Sequence, residues 1–411
     1  MDHGDVAWIL TSSALVFIMT PGLAFFYGGL VKRKNIINTI MSSVLMMGIG
    51  SILWVLIGFS LSFSGDNAGI IGNLNWFGLN FDGFTDTTLP YPNTLSFAIF
   101  QMMFAIITPA LITGAIAERM KFSSLVIFST VWSIIVYYPL AHMVWGGGLL
   151  YQIGSVDFAG GNVVHISSGV SALVLVLLLG KRSHFGRATY HPHNVSYVFL
   201  GAALLWFGWF GFNGGSALGA NELAVHAMIT TNTAAATAML SWMFIEKVKH
   251  GKPTLVGAST GMVIGLVAIT PGAGFVPIWA SIAIGALVSP ISYFFITVVK
   301  NKFGYDDALD VFGCHGIGGI WGGIATGLFA QTSINPQAAW NGLVFGDTHL
   351  FFAQIEAISI TVVLAVVGTL AAAGIASLVT RGIGVSVKNQ AIGLDASEHG
   401  ETAYPAFNGM D

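Results

Sequence analysis

Two histidines, His165 and His315, stand in apolar stretches where few other residues can gain or lose a proton. They occur in the strings Asp157-Phe-Ala-Gly-Gly-Asn-Val-Val-His165 and Asp310-Val-Phe-Gly-Cys-His315. A histidine within hydrocarbon costs free energy and so marks a functional site. If the two rings meet, one donates a hydrogen bond to the other, and the outer nitrogens become polar stations in an apolar tube. Four further residues extend the set. The face of Trp145 attracts a cation by about 0.5 to 2 kcal/mol, and the Ser216 oxygen accepts a hydrogen bond. The phenyl rings of Phe104 and Phe212 oppose a charge but admit a neutral molecule. In that order the residues suit a small cation that can shed a proton. Singly, each has a packing explanation, since an interfacial Trp is usually part of an aromatic belt; the weight lies in the combination. Asp157 reads first as a helix N-cap, and Asp310 sits similarly below His315. His142 and His226 lie nearer the outer ends and read as packing or capping residues, while Glu222 and Glu356 fall near helix ends without a role.

The elements that must position these residues are marked by charge. All fifteen Lys and Arg residues fall into six clusters: Lys32 to Lys34, Arg119 with Lys121, Lys181 to Arg187, Lys247 to Lys252, Lys300 with Lys302, and Arg381 with Lys388. Each gap between clusters is long enough for two crossings of roughly 20 residues and a turn. Basic residues stay cytoplasmic, so each gap is an excursion out and back. With one apolar segment ahead of the first cluster, the count is eleven transmembrane helices, N-terminus outside and C-terminus inside. Composition agrees: 55% of residues are hydrophobic and 8% charged, with a mean hydropathy of +0.78, against about 25% charged in soluble domains. The acidic start Met1-Asp-His-Gly-Asp5 lacks the positive region of a secretory signal, so the first apolar segment counts as helix one. A single cysteine, Cys314, excludes an internal disulfide and a Cys-rich metal site. No metal, no other cofactor and no nucleic-acid partner is expected.

The pattern predicts an all-α polytopic membrane protein with helices at about 7–31, 38–62, 94–117, 124–145, 161–180, 195–217, 223–246, 254–270, 278–299, 311–329 and 350–380. The last must tilt strongly or protrude. The stretch 63–93, with Asp66, Asp82, Asp86, Pro90 and Pro92 and no Lys or Arg, reads as an extracytoplasmic loop. Residues 1–380 form a transport domain, and 381–411 a cytoplasmic C-terminal regulatory tail. Five helices are an odd number, so two five-helix repeats, about 7–180 and 195–329, must lie inverted, with helix eleven outside the scheme. Phe26-Tyr-Gly-Gly29 resembles Phe212-Asn-Gly-Gly215, and helices five and ten each hold one of the two histidines. Inverted repeats are a transporter architecture with the site near the midplane. Glycines at 257, 261 and 265, and at 319, 323 and 327, form stripes that permit close helix approach.

The basic clusters also set depth. At about 1.5 Å per residue, His165 and His315 lie roughly 24 and 20 Å above the inner boundary, Phe104 near 22 Å, Phe212 near 27 Å, Ser216 near 33 Å and Trp145 near 36 Å. One vertical file results, from an aromatic and a hydroxyl through two phenyl rings to two imidazoles.

Taken with Phe100-Gln-Met-Met-Phe104, Ala115-Ile-Ala-Glu-Arg119, Val144-Trp-Gly-Gly-Gly148, Trp209-Phe-Gly-Phe-Asn-Gly-Gly-Ser216 and the tail Gly393-Leu-Asp-Ala-Ser-Glu-His-Gly-Glu-Thr-Ala-Tyr404, these strings resemble the ammonium transporter (Amt/Rh) family, bacterial Amt branch. The resemblance implies that Trp145, Phe104 and Ser216 recruit ammonium, that Phe104 and Phe212 gate, and that His165 and His315 line the lumen and relay or hold protons. It gives Asp157 a structural role needed for function. It further implies a homotrimer with one pore per subunit in the cell's inner (plasma) membrane, methylammonium as a substrate analogue, and a PII signalling protein at the cytoplasmic tail.

Rival readings have less behind them. Gly257-Ala-Ser-Thr-Gly261 matches the G-x-S-x-G elbow of a serine hydrolase, but that elbow needs a strand-to-helix turn, and a helix is expected here. A bis-histidine haem protein would show a Soret band. The potassium filter T-V-G-Y-G is missing from the sequence. A neutral-gas channel of the Rh type and an ammonium sensor remain as alternatives, and no enzyme activity is expected.

Overall fold

The computed structural model describes residues 3–80, 94–183, 185–186 and 191–405. Asp82, Asp86, Pro90, Pro92 and Arg187, and the tail beyond residue 405, lie outside the described residues. Within them the chain is all-helical, with only two isolated bridges, Asn67 with Ile71 and Met120 with Gly384, in place of strands. The main rods are α1 (His3–Leu30), α2 (Arg33–Phe63), α3 (Thr94–Ile112), α4 (122–145), α5 (Gly161–Leu179), α6 (Val195–Gly215), α7 (Glu222–His250), α8 (Leu255–Ile269), α9 (Ile278–Phe303), α10 (312–329) and α11 (His349–Thr380). Eight helical stretches are long and apolar enough to cross a membrane. The fifteen residues of α8 reach only about 22 Å, short of the roughly 30 Å core. From Gly257 onward α8 is mostly buried, against α6, α7, α9 and α10, while Leu255 at its start is exposed.

Side-chain caps begin the second half of the chain. Asn194, Asn221 and Thr254 each accept a hydrogen bond from the amide three residues on, at the starts of α6, α7 and α8. The α6 rod lies along α1, α7 runs against α8 and α9, and α11 packs across α4 and α5. The glycine stripe does what its spacing predicts: a Cβ at Gly265 would stand 2.6 Å from the Ala234 oxygen of α7. Gly257–Gly261 lies inside α8, so the hydrolase-like string forms no elbow.

Three findings differ from the sequence expectation. The third helix ends at Ile112, not near 117, and passes into tight turns, with Glu118 at φ +70°. Arg119, which is 2% exposed, donates there to the Ala115 oxygen and to the Gly180 oxygen at the end of α5, each at 2.7 Å, and to the Asp306 carbonyl before α10. Second, α4 contains a π-turn at Ser133–Tyr137 and α2 another at Trp54–Gly58, so the unbroken helix assumed for the Trp145 depth does not hold. Third, the polar tail is docked. Its helical turns α12 (Val387–Ile392) and α13 (Asp395–His399) follow a backbone pairing of 383–385 with 119–121. Asp395 accepts from the Asn38 amide at 2.9 Å, and Glu398 from the Phe122 amide at 3.0 Å. Burial pushes the Asp395 carboxyl up, against the pull of the α2 amides it caps.

Candidate functional site

The site grows out of the turn between α4 and α5. Asp157 gathers the amides that open α5: Gly160 and Gly161 donate to one carboxylate oxygen at 2.8 and 2.6 Å, and Asn162 to the other at 2.7 Å. Gly160 sits at φ +116°, which a side chain would strain. The sequence reading of Asp157 as an N-cap thus describes its contacts. The Asp157 carbonyl does a second job and accepts from the Trp145 indole N–H at 2.9 Å. That bond fixes the ring at the end of α4, perpendicular to Phe104 with centroids 6.0 Å apart and planes at 84°.

Below it the aromatic layer closes. Phe104 on α3 and Phe212 on α6 stack with centroids 4.2 Å apart and planes 27° apart, each 1% exposed. Ser216, one turn further along α6, donates its hydroxyl proton to the Phe212 carbonyl at 2.9 Å, which leaves its oxygen able to accept. Trp145 and Ser216 are half-buried, whereas the phenyl rings are sealed.

Beneath Phe212, at 6.2 Å, lies the His165 ring, parallel to His315 at 5.3 Å. Their Nδ1 atoms are 3.3 Å apart. The His165 Nε2 has no hydrogen-bond partner among the described residues. Both histidines lie within π-turns, Gly161–Ile166 and Phe312–Gly316, and π-turns are common at functional sites. The rings border a cavity walled by Phe26, Ile107, Leu111 and Val263, with about 10 Å³ of room for the centre of a water-sized molecule, enough for roughly one such molecule.

All six residues of the expected file are therefore brought together, and Asp157 is tied to them through Trp145. The two remaining outer histidines stay outside: His142 bonds the Ser62 carbonyl and Asp66, and His226 the Val276 carbonyl. The hydrogen bond from His142 holds the Asp66 carboxyl below the usual range. Among the described residues no group of His, Cys, Asp and Glu could hold a metal ion.

The sequence model of the Ammonium Transporter Family matches residues 7–404. This chain belongs to the ammonium transporter family. Among its relatives, the ammonium transporter of Bacillus subtilis (strain 168) is 51% identical over 406 residues, 98% of this chain and 99% of the relative. The crystal structure of Saccharomyces cerevisiae Mep2 matches with a TM-score of 0.84 and 36% identity, over 93% of this chain and 86% of Mep2. A solved structure titled Sensor Amt Protein matches with 0.87 and 28% identity, over 96% and 98%.

Within this family member, two residues of the site escape sequence reasoning. Trp209 stacks on His165 at 5.5 Å and donates to the Thr270 hydroxyl at 2.9 Å, forming a third wall of the lumen. Its place three residues before Phe212, on the same helix face, is the signal that could have found it. The acid paired with His315 is Asp307, not Asp310. Asp307 accepts from the Phe312 amide at 2.8 Å, as Asp157 does from Asn162, and each acid stands eight residues before its histidine. Asp310 instead pairs with Lys300 at 2.5 Å. The eight-residue spacing carried that information.

Proposed function

We propose that this chain is an ammonium transporter that recruits ammonium at Trp145, Phe104 and Ser216, where it gives its proton up to water on the outer side, and passes the ammonia so formed between Phe104 and Phe212 into the lumen of His165 and His315. The observation that carries this reading is the sealed phenyl stack lying directly over the two facing imidazoles. A cation gains about 0.5 to 2 kcal/mol at the indole face, whereas stripping its water to pass the rings costs several kcal/mol. Recruitment cannot offset that cost, so the species that continues inward is neutral. Potassium meets the same barrier and has no proton to leave behind.

The histidine pair suits ammonia. With both rings uncharged, one Nδ1–H donates to the other Nδ1, so one Nε2 is left an acceptor and the other a donor. Ammonia can donate to the first and accept from the second. Growth of an uptake-deficient strain at low ammonium, and methylammonium uptake by the same cells, test the transport claim. Wild-type protein restores both, and His165→Ala with His315→Ala changes uptake and ion exclusion; unchanged behaviour of the double variant would refute the lumen mechanism.

The wider reading has eleven crossings in two inverted halves, N-terminus out and C-terminus in, within the plasma membrane. Its support is the basic clustering together with the matched Asp–His spacing in α5 and α10. Association with further copies, a homotrimer in this reading, is supported by Asn232, exposed in the middle of α7, where a lipid-facing carboxamide would lack partners and a second copy supplies cover. The docked tail offers a cytoplasmic surface for a PII-type protein. A sensor role is the second reading, on the strength of the likeness to the Sensor Amt Protein. Strain rescue with wild-type uptake favours transport over it.

A further inference from the structure

We propose that Gln354, on α11 and away from the lumen, is a positioning residue of the outer cation site; this rests on the recruitment role given to Trp145. Residues 154–160 form no helix, so the Val156 peptide has no helical partner and needs one from elsewhere. Gln354 is fully buried and supplies both bonds: its Oε1 accepts from the Val156 amide at 2.9 Å, and its Nε2 donates to the Val156 carbonyl at 2.9 Å. Nε2 also reaches the Gly323 carbonyl of α10 at 3.3 Å.

Two turns along the same face of α11, Thr361 donates to the Asn162 side-chain oxygen at 3.2 Å. The two α11 residues thus grip both ends of the turn whose centre is Asp157. Within that turn the Asp157 carbonyl holds the Trp145 indole. The path from Gln354 to the Trp145 indole is one residue of backbone and two hydrogen bonds, and the Phe158 amide, which donates to the Pro271 carbonyl at 3.0 Å, holds the other side of Asp157. Thr369 continues the same stripe by donating to Ser171 at 2.7 Å, which fastens the rest of α5. The helix that stands outside the repeat scheme serves here as a brace for the recruitment site.

The test is a double-mutant cycle read as KM and Vmax for methylammonium, normalised to folded transporter. Gln354→Leu raises KM about three- to tenfold, the scale of one or two hydrogen bonds, and changes Vmax less than about twofold. Gln354→Glu, which as the protonated acid keeps the acceptor for Val156 N–H and one donor for the Val156 carbonyl, gives a smaller rise below the pH at which the buried acid ionises and replaces the Leu variant where that one does not fold. In a Trp145→Phe background, which has no indole N–H to place, either substitution adds nothing further. Equal effects in both backgrounds, or a loss of Vmax at constant KM, would overturn the proposal. Where the wild type itself takes up no methylammonium, the recruitment reading fails separately. Hydrogen exchange then decides: Gln354→Glu must speed exchange in both 154–162 and 142–148, and an unaffected 142–148 overturns the positioning claim.

Discussion

The starts of α5 and α10 are built on one plan and set in opposite electrostatic surroundings. In both, an Asp caps a π-turn, a histidine follows eight residues later, and a glycine four residues after that: Asp157, His165 and Gly169 against Asp307, His315 and Gly319. Asp157 takes three amides and pairs with no Lys or Arg among the described residues. Asp307 takes the Phe312 amide beside a crowd of cations. Lys300 donates to its carbonyl at 2.6 Å, and Arg182 and Arg119 pair with the adjacent Asp306 at 2.7 and 3.1 Å. The shared part is what a helix start needs to aim a histidine inward. The difference shows where fixed positive charge is tolerated: it compensates the acids around α10 and is withheld from the turn before α5, which holds the Trp145 indole.

The sharpest way to break the comparison is at the matching glycines. A Cβ on Gly169 would stand 2.1 Å from the Gly316 nitrogen and 2.4 Å from its Cα, so backbone must move. A Cβ on Gly319 would meet the Ile166 and His165 side chains at 3.0 and 3.1 Å. Gly169→Ala is expected to cost about 3 kcal/mol or more and Gly319→Ala about 1 kcal/mol, read as loss of folded protein and as melting temperature in detergent. Equal losses would mean that the α5–α10 crossing is not set by Gly169.

Next in size are the acids. Asp157→Ala orphans three buried amides, against one hydrogen-bonded amide for Asp307→Ala, at roughly 1 to 3 kcal/mol for each. Asp157→Ala is therefore the more destabilising, and it also raises the KM for methylammonium, since Trp145 hangs on the same residue's carbonyl. Asp307→Ala lowers the melting temperature less and leaves that KM within about twofold. An equal KM effect from both would separate the outer mouth from the Asp157 turn.

Most of this plan is legible in sequence, for a physical reason. Lipid excludes charge, so the six basic clusters bracket the helices, but a depth counted from them holds only along unbroken helix, and α3 ends at Ile112 while both histidines lie in π-turns. Contacts set by irregular backbone are not legible in that way. The early end of α3, the π-turns and the grip of Gln354 on Val156 depend on which carbonyls a neighbouring element leaves open, and no periodicity encodes that. Asp307 lies between these cases. Its spacing to His315 repeats that of Asp157 to His165, but Asp310 stands nearer and in a more familiar-looking string, and only the Phe312 amide tells them apart.

The smallest expected effect separates those two acids by pH. Burial, foremost, raises the Asp307 carboxyl to about 6, against the pull of Lys300. A folded-state value above the unfolded one means that the folded protein binds the proton more tightly, so this group's contribution to stability falls as pH rises from about 4 to 6 and stays low above that. The neighbouring Asp306 has the opposite sign. Burial raises its carboxyl, but bonding and charge from Arg182 outweigh that and hold it below the usual range, so its stabilisation is lost as pH falls below about 5 and overlaps only the acid end of the window. Asp307→Asn is expected to remove the fall between pH 4 and 6, changing the melting temperature across that range by about 2 to 4 °C. Asp310→Asn breaks a partly exposed pair with Lys300, worth about 1 kcal/mol or less, and, because the Asp310 charge also helps raise the Asp307 carboxyl, should narrow the fall without removing it. If Asp310→Asn abolished the pH dependence and Asp307→Asn did not, Asp310 would be the acid that matches Asp157, and the parallel between the two helix starts would have to be redrawn around it.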